Sequence, residues 1–382
     1  MVNNVLSRAE CNALRGLAII GIFLHNYCHW LRPMVKENEY RYIQHNVDRL
    51  NYVLQHPDWD LIVHLFSFFG HYGVPVFLFL SAYGLVKKYE ETNVPHFNGD
   101  VVSDKHHLFS NSFLRNLAPS FQFLRIHFLK LFKMMIVGFV AFTMVDAITP
   151  GSHRYHLLDI VAQLGLFNNI LPHPEKIIWP GPYWFFGLMM QLYIVYRLFL
   201  HKRHWGFTVV FIVVCEVIQL CCHPEGEALN RWRYNFIGGM LPFGIGLLTA
   251  RYGQMMSRRM CAIVLLPSIF MVYYFSNGFF YWTLAPLAVV FTCICLIKVL
   301  PQWLMRPLEW MGGISAALFV CHPITRKIFI PVSHRGDVYA GLLLYIVSSI
   351  ALAWLFRELL RRIPDPKLRG NQHAQTIPIE RT

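Results

Sequence analysis

Apolar runs of about 20 residues recur along almost the whole chain, and short polar stretches separate them. A helix rises about 1.5 Å per residue, so each run is long enough to cross a hydrocarbon layer about 30 Å thick. The pattern predicts an all-α, polytopic membrane bundle of about ten transmembrane helices around a central polar cavity. The predicted spans are residues 13–31, 59–86, 124–148, 182–200, 205–222, 234–251, 260–276, 279–299, 308–330 and 338–360.

The distribution of basic residues accounts for the formal net charge of +13. With the N-terminus in the cytoplasm, about 23 Lys and Arg lie on the cytoplasmic side and about 11 on the other. This bias is typical of membrane topology, so we expect membrane lipids and no nucleic acid as partners. We predict a multi-pass protein of a bacterial-type inner membrane with both termini in the cytoplasm.

Cysteine spacing and repeats add little to this picture. The nine cysteines fall mostly within predicted spans and show no CxxC pair, which is typical of packing residues, and we predict no metal site. The first apolar run carries Arg15 and lacks a small-residue cleavage site, so we expect a retained helix. We expect a membrane domain over residues 1–365 and a cytoplasmic tail over 366–382.

His25 lies deep in the first span, ten positions after Arg15 in the run LRGLAIIGIFLHNYCHW. Along a helix the two side chains are about 15 Å apart. An ionisable group at that depth is costly and is usually functional, and an imidazole titrates near neutral pH, as a general base must. The alternative is a neutral histidine that is hydrogen-bonded between packed helices.

Two further segments place polar groups near the predicted cytoplasmic face. The second span ends FGHYGVPVFLFLSAYGLVKKY, where Ser81 and Tyr83 offer hydroxyls next to two lysines. The segment FLRIHFLKLFK carries cationic or titratable side chains. These are Arg125, His127, Lys130 and Lys133. They suit a phosphate clamp, because Arg and Lys bind phosphate oxygens, or they extend to anionic lipid headgroups.

The fourth span and a late segment supply the remaining candidates. The fourth span opens YWFFGLMMQLY, with Trp184 at its start and Gln191 and Tyr193 further in. In LEWMGGISAALFVCHPITRK, the paired glycines 312–313 and the proline at 323 predict breaks in the helix, with His322 at a bend. Glu309 is either a buried carboxylate or an interfacial one.

Taken together, five segments in order resemble the acyltransferase 3 family of membrane acyltransferases. They are LRGLAII…LH, GVPVFLFLSAYGL, FLRIHFLKLF, YWFFGLMMQLY and LEWMGGISAALFVCHP. The resemblance covers most of the chain. It implies transfer of an acyl group, commonly acetyl from cytoplasmic acetyl-CoA, to a hydroxyl of a cell-envelope carbohydrate or a lipid-linked sugar.

The chain departs from the family pattern in three places, one of which is Lys133, where a proline is common after the third-helix basic motif. The family usually has ten residues between the Arg and the His of the first helix, whereas this chain has nine between Arg15 and His25. The two side chains are therefore about 80° apart around the helix instead of about 20°. Either a local bulge restores the facing or Arg15 has a looser role. In the second motif, Ala82 replaces a usual glycine.

The resemblance assigns roles to the candidates. His25 is expected to act as the general base or to carry the acyl group itself, and Arg15, Ser81 and Tyr83 to assist at the thioester. The donor acyl-CoA is expected to contact Arg125, His127, Lys130 and Lys133. The acceptor side is expected to include Trp184, Gln191, Tyr193, Glu309 and His322.

Two other functions fit the same pattern. One is a transporter or flippase of a lipid-linked or acylated metabolite, although such proteins usually have internal repeats and none is visible. The other is a silent membrane scaffold, which would leave His25 unexplained. The polar stretches 32–58 and 153–182 either cover and select the acceptor or are solvated loops with a short surface helix.

Overall fold

The computed structural model describes residues 5–91 and 112–366. In these ranges the chain forms fifteen α-helices and no β-strand, which confirms the all-α prediction. The predicted tail beyond residue 366 lies outside the described residues. The helices are α1 (Arg8–Cys28), α2 (Gln44–Gln55), α3 (Leu61–Phe69), α4 (Gly73–Tyr89), α5 (Ser112–Ile148), α6 (Leu157–Leu164), α7 (Pro174–Ile177), α8 (Trp184–Val195), α9 (Trp205–Leu220), α10 (Glu227–Tyr234), α11 (Phe236–Tyr252), α12 (Arg258–Ser276), α13 (Phe279–Val299), α14 (Gln302–Arg335) and α15 (Val338–Arg362).

Seven helical stretches among the described residues are long and apolar enough to cross a membrane. α9 is apolar but shorter, and α1 and α11 do not meet the same length and hydropathy limits, so ten spans are not confirmed. The seven stretches are Leu61–Tyr89, Pro119–Ile148, Gly181–Leu200, Arg258–Ser276, Phe279–Val299, Gln302–Arg335 and Val338–Arg362.

Helix α1 lies inside the bundle and runs parallel to α14. It begins at a capping box, because the Ser7 hydroxyl accepts from the Glu10 amide at 3.2 Å and the Glu10 carboxylate accepts from the Ser7 amide at 2.7 Å. The two helices cross at Gly16 and Gly312, where an added Cβ would collide with a carbonyl oxygen of the other helix. The absence of side chains at this crossing allows the close approach.

The predicted breaks in the late segment are wrong, since α14 is one helix of 34 residues that continues through Gly312–Gly313 and Pro323. Gly312 serves the contact with α1 instead of ending the helix. Next to the proline, Nδ1 of His322 donates to the carbonyl of Leu318 at 3.1 Å. Packing of this largely buried stretch against its neighbours overrides the low helical propensity of glycine and proline.

Residues 29–58 fold over the end of the bundle where α1 terminates. The short helix α2 buries Val47 and Leu50 in a small apolar cluster with Phe68 and Trp282. The stretch therefore contains the expected short helix, and its preceding loop is packed onto the bundle. This packing brings the loop over His25.

Candidate active site

A backbone carbonyl holds the imidazole of His25. Its Nδ1 lies 2.9 Å from the carbonyl oxygen of Ser67, in the last turn of α3, and only 8% of the residue is exposed. A carbonyl oxygen can only accept, so Nδ1 carries the hydrogen and Nε2 carries the lone pair. Among the described residues, Nε2 has no hydrogen-bond partner. His25 is therefore held in the tautomer that a general base requires.

Glycine at position 70 allows this arrangement. Helix α3 ends at Phe69, and a single 3₁₀ turn, Gly70–Tyr72, connects it to α4. A Cβ added to Gly70 would lie 2.5 Å from the carbonyl oxygen of Gly21 and 2.7 Å from Cβ of His25. The turn thus packs directly against α1 beside the imidazole. It also divides the predicted span 59–86 into two helices, α3 and α4.

Two more imidazoles flank His25. The ring of His29 lies 5.1 Å from it and that of His71 lies 5.5 Å from it, measured between centroids. Nδ1 of His71 donates to the carbonyl of Phe68 at 2.7 Å. Nδ1 of His29 and Nε2 of His71 are buried and have no partner in the described part of the chain. Two further potential proton acceptors therefore lie next to His25.

His25 lines a cavity of about 180 Å³, which we call the His25 cavity. Its walls are aromatic and polar. Tyr40 stacks on Tyr234 at 3.9 Å and meets Trp184 edge-on at 5.3 Å. The imidazole, carboxylate and guanidinium side chains that line it are His25, His29, Glu39, Glu175 and Arg326. Trp184, predicted on the acceptor side, is thus brought together with His25.

A larger cavity of about 350 Å³, the Arg15 cavity, lies beside it. Its walls are mostly apolar, and its polar groups include Arg15, Ser81, Tyr193 and Ser315. The hydroxyls of Ser81 and Tyr193 are 3.3 Å apart, and a nitrogen of Arg15 donates to Asn12 at 2.9 Å. Three predicted site residues, from α1, α4 and α8, therefore meet in one cavity.

The two cavities meet at an apolar constriction. Ile22, Phe185 and Phe319 line both of them, and the two phenyl rings are 5.2 Å apart. Along α1, Arg15 and Ile22 are seven positions apart, which places them on one face of the helix. A molecule that entered from the Arg15 cavity would have to pass these three side chains to reach the imidazole.

Arg15 and His25 consequently face different cavities. Helix α1 is an α-helix from Arg8 to Cys28 without a bulge, so no local distortion restores the usual facing of the pair. Of the two possibilities that the shortened spacing left open, the looser role for Arg15 fits this geometry.

Other predicted site residues lie outside the two cavities. The hydroxyl of Tyr83 accepts from the Leu6 amide at 3.2 Å and anchors the start of the described chain. Gln191 bonds Asn235 at 2.8 Å and the Phe236 amide at 2.9 Å, at the start of α11.

His322 and Glu309 occupy different positions on α14. His322 is fully buried, its ring is 6.0 Å from that of Phe319, and its Nε2 has no partner among the described residues. Glu309 is half-buried and makes no ion pair within the described ranges. Neither residue lines the Arg15 or the His25 cavity.

The cations in the basic segment of α5 differ in whether they are already bonded to an acidic partner. Arg125 is exposed, and Lys130 interacts electrostatically with Lys88 at the end of α4. Lys133 is already engaged, because it donates to Asp365 at 2.9 Å and to the carbonyl of Ile363 at 2.6 Å. Arg125 and Lys130 therefore remain the better placed of these cations for an anionic ligand.

His127, the fourth predicted donor contact, is buried in an aromatic cluster. Its Nδ1 donates to the carbonyl of Phe123 at 2.9 Å, and its ring lies 4.5 Å from that of Tyr193. Because Tyr193 lines the Arg15 cavity and His127 does not, His127 lies behind the wall of that cavity.

Carboxylates outside the spans have shifted acidities. Burial raises the pKa of Glu37 to about 8 and that of Glu39 to about 7, in the loop over the His25 cavity. At the opposite end, burial alone would raise the pKa of Glu90, but hydrogen bonds from His201 and Arg251 lower it to about 2. The loop over the cavity is thus poorer in negative charge than its sequence indicates.

One surface group in the described ranges has metal-ligand spacing. The potential ligand atoms of His173, Glu175 and Glu227 lie within 4.8 Å of one another on the surface. Both carboxylates already have partners, Asn230 at 2.9 Å and Arg41 at 3.1 Å. The cluster is therefore explained by surface ion pairs and hydrogen bonds.

Several residues of the His25 cavity were not among the sequence candidates. Arg326 and Asn26 contact each other, Glu39 comes from the loop 29–58, and Tyr234 is the last residue of α10. The arginine had a detectable signal, because it stands inside the predicted span 308–330. The loop residues had none, since nothing in their sequence shows which way the loop folds.

Comparison with known families agrees with the motifs. The family model of acyltransferase 3, described as an acyltransferase domain, matches residues 8–358. No curated protein and no solved structure gives a match. The match begins with α1 and ends within α15, so it includes both cavities. The chain belongs to the acyltransferase 3 family and is a membrane acyltransferase.

Proposed function

We propose that this protein transfers an acyl group, with acetyl as the first candidate, from acyl-CoA to a hydroxyl of a cell-envelope carbohydrate or a lipid-linked sugar. The observation that carries the proposal is the imidazole of His25. Its Nδ1–H is committed to the Ser67 carbonyl, and its Nε2 is unpartnered among the described residues, in a side chain that lines a polar cavity.

In the direct reaction, Nε2 of His25 removes the proton from the acceptor hydroxyl as its oxygen attacks the thioester carbon. The new ester bond forms, the carbon–sulfur bond breaks, and the imidazolium proton passes to the departing thiolate of CoA. A positioned base of this kind contributes about 10²- to 10⁴-fold to the rate. The Ser67 carbonyl supports the step because it stabilises the imidazolium and fixes the ring.

The donor would occupy the Arg15 cavity. Its apolar walls suit the pantetheine arm, and Ser81, Tyr193 and Arg15 supply polar groups for the thioester. At the same end of the bundle Lys88 and Lys130 stand close to each other, and two adjacent cations suit a phosphate. This assignment places that end in the cytoplasm, where CoA is available, and the protein in a bacterial-type inner membrane.

The acceptor would occupy the His25 cavity. Aromatic faces such as those of Trp184 and Tyr40, interspersed with carboxylates and amides, suit the alternating apolar and hydroxyl surfaces of a sugar ring. The loop 29–58 and the segment 153–182 both contribute walls, which fits the expectation that they cover and select the acceptor.

A two-step route uses the same residues. Nε2 of His25 would attack the thioester, release the CoA thiolate and carry the acyl group, and the acceptor hydroxyl would then displace the imidazole. His29 or His71 would serve as the base in the second step, because each lies one ring away. Rapid quenching with labelled acetyl-CoA in the absence of acceptor separates the two routes, since only the second leaves label on the protein.

His25→Ala in the full-length protein tests the function. Transfer of labelled acetyl from acetyl-CoA to envelope material should fall at least about 100-fold. His45→Ala is the matched control, because that side chain is exposed on α2, and it should leave transfer unchanged. Full activity of the His25 variant would refute both routes.

A further inference from the structure

Arg326 is a buried cation on α14 without a buried counter-ion. Only 7% of the residue is exposed, and its hydrogen bonds go to the carbonyl and side-chain oxygens of Asn26 at 3.4 and 3.3 Å. The guanidinium also lies 5.2 Å from the centre of the Trp30 ring. It forms no ion pair with any carboxylate whose side chain the structure describes.

This arrangement is expensive. A charge inside a membrane span costs several kcal/mol unless it is paired or hydrated, and bonds of 3.3 to 3.4 Å to neutral oxygens offset little of that cost. The next residue shows the usual solution, because Lys327 pairs with Asp146 at 2.8 Å. Arg326 thus retains donor capacity that no described residue satisfies.

The unpaired guanidinium lines the His25 cavity. Two carboxylates line the same cavity, Glu39 and Glu175, but neither is within ion-pair distance of Arg326. His25 and His29 contribute ring nitrogens and no negative charge. The part of the cavity next to α14 therefore offers positive charge and hydrogen-bond donors.

From this geometry we propose that Arg326 is an anion-binding site, and that the acceptor carries a carboxylate or phosphate group that binds there while its hydroxyl reaches His25. The proposal rests on the proposed function for the carbohydrate nature of the acceptor and for His25 as the group that the hydroxyl reaches. The donor is not the ligand, because its phosphates would have to pass the constriction at Ile22, Phe185 and Phe319. Arg is suited to this role since its planar fork binds both anions through two parallel hydrogen bonds.

Thermal unfolding of the purified full-length protein in detergent tests the site with three probes at matched ionic strength. D-glucuronate carries a carboxylate, glucose 6-phosphate carries a phosphate, and D-glucose is neutral. We expect a saturable rise in Tm with one or both charged sugars and a smaller one, or none, with glucose. The sugar that gives the larger rise identifies the anion.

Arg326→Gln should weaken the apparent affinity for the charged sugar, read from this rise in Tm, at least about tenfold, because charged hydrogen bonds are lost. Without ligand, the variant should be as stable as the wild type or more stable, because an unpaired buried charge is gone. Arg335→Gln is the matched control, because it removes an exposed charge from the same helix and should keep the response. If Arg326→Gln does not fold, the same measurement is made on Arg326→Lys, which should show a smaller loss of affinity for the charged sugar.

Equal shifts by charged and neutral sugars in the wild type, or an undiminished response in the Arg326 variants, would overturn the proposal. Acetyl-CoA-dependent transfer by the wild type is measured separately on the same preparation. Transfer without an anion effect leaves the acyltransferase function intact and removes only the anion site. An anion effect without transfer supports the anion site and removes the acyltransferase function.

Discussion

Gly70→Ala is the sharpest test of how the fold positions His25. The new Cβ would lie 2.5 Å from the Gly21 carbonyl oxygen and 2.7 Å from Cβ of His25, and both neighbours belong to α1. Neither is the flexible end of a side chain, so the conflict cannot be relieved by a rotamer change. The 3₁₀ turn must move away from α1, and Ser67, which bonds the imidazole, must move with it.

The size of the effect follows from these distances. Ordinary van der Waals contact begins near 3.4 Å, so the two segments must separate by about 0.9 Å. Overpacking of this kind costs about 1–3 kcal/mol of stability, and a displacement of about 1 Å in a reacting group lowers a rate by about 10²-fold. We therefore expect kcat to fall by about 10²-fold, with a moderate loss of Tm. The KM for acyl-CoA should stay unchanged, because the Arg15 cavity is not lined by Gly70.

The assay is acetyl-CoA-dependent acetyl transfer by full-length protein in membranes, with Tm measured on the purified protein. Gly84→Ala is the matched control, since it lies on α4 and its Cβ would meet no atom within 4 Å. This control should keep kcat and gain up to about 1 kcal/mol of stability from helical propensity. A Gly70→Ala protein with wild-type kcat would show that the close packing of the turn does not position the base.

Three further predictions concern the constriction and two carboxylates. Phe319→Ala should widen the passage between the cavities and raise the rate with butyryl-CoA relative to acetyl-CoA by about tenfold or more; an unchanged ratio would exclude this ring as a limit on the acyl group. Glu90→Gln should lose about 1–3 kcal/mol, because Arg251, bonded at 2.7 and 2.8 Å, loses its counter-charge and keeps its bond to the Leu200 carbonyl. The pKa of Glu90 is lowered to about 2, so its contribution should persist above about pH 4.5 and disappear as pH falls towards 2, which urea unfolding against pH checks. The pKa of Glu37 is raised to about 8, so the wild type should lose up to about 1.4 kcal/mol per pH unit as pH rises from about 4.5 towards 8, and Glu37→Gln should flatten this slope.

The sequence predicted the helices better than their ends and interruptions. Apolar runs of membrane length identify spans because the bilayer leaves no other way to satisfy the backbone. The helix breaks predicted at Gly312 and Pro323 were wrong, because helical propensity describes an isolated helix and this stretch is packed against α1. The number of spans stayed uncertain for a similar reason. Helix α1 carries polar residues that belong to internal contacts, which lowers its hydropathy below that of a lipid-facing span, and α11 is only 17 residues long.

For the site, the sequence identified single residues but not their grouping. Depth along a helix follows from the rise per residue, so His25 could be placed without a structure. The rise per residue does not show the direction in which the Tyr83 side chain points. It lies two positions from Ser81, which turns it by about 200° around α4, away from the Arg15 cavity and towards Leu6. Contacts such as that of Tyr40 with Tyr234 join residues nearly two hundred positions apart and depend on how the loops fold.

The shortened spacing in α1 now has a structural explanation. Eleven positions after Arg15, where the family usually has its histidine, this chain has Asn26, and that side chain contacts Arg326. The imidazole, one residue earlier, is turned by about 100° towards the 3₁₀ turn, where the Ser67 carbonyl and the space above Gly70 receive it. One position thus holds the base and the next helps to hold the cation of the same cavity. The shorter spacing therefore separates two functions along α1. His25 contacts the 3₁₀ turn on one side of the helix, and Asn26 contacts α14 on the other.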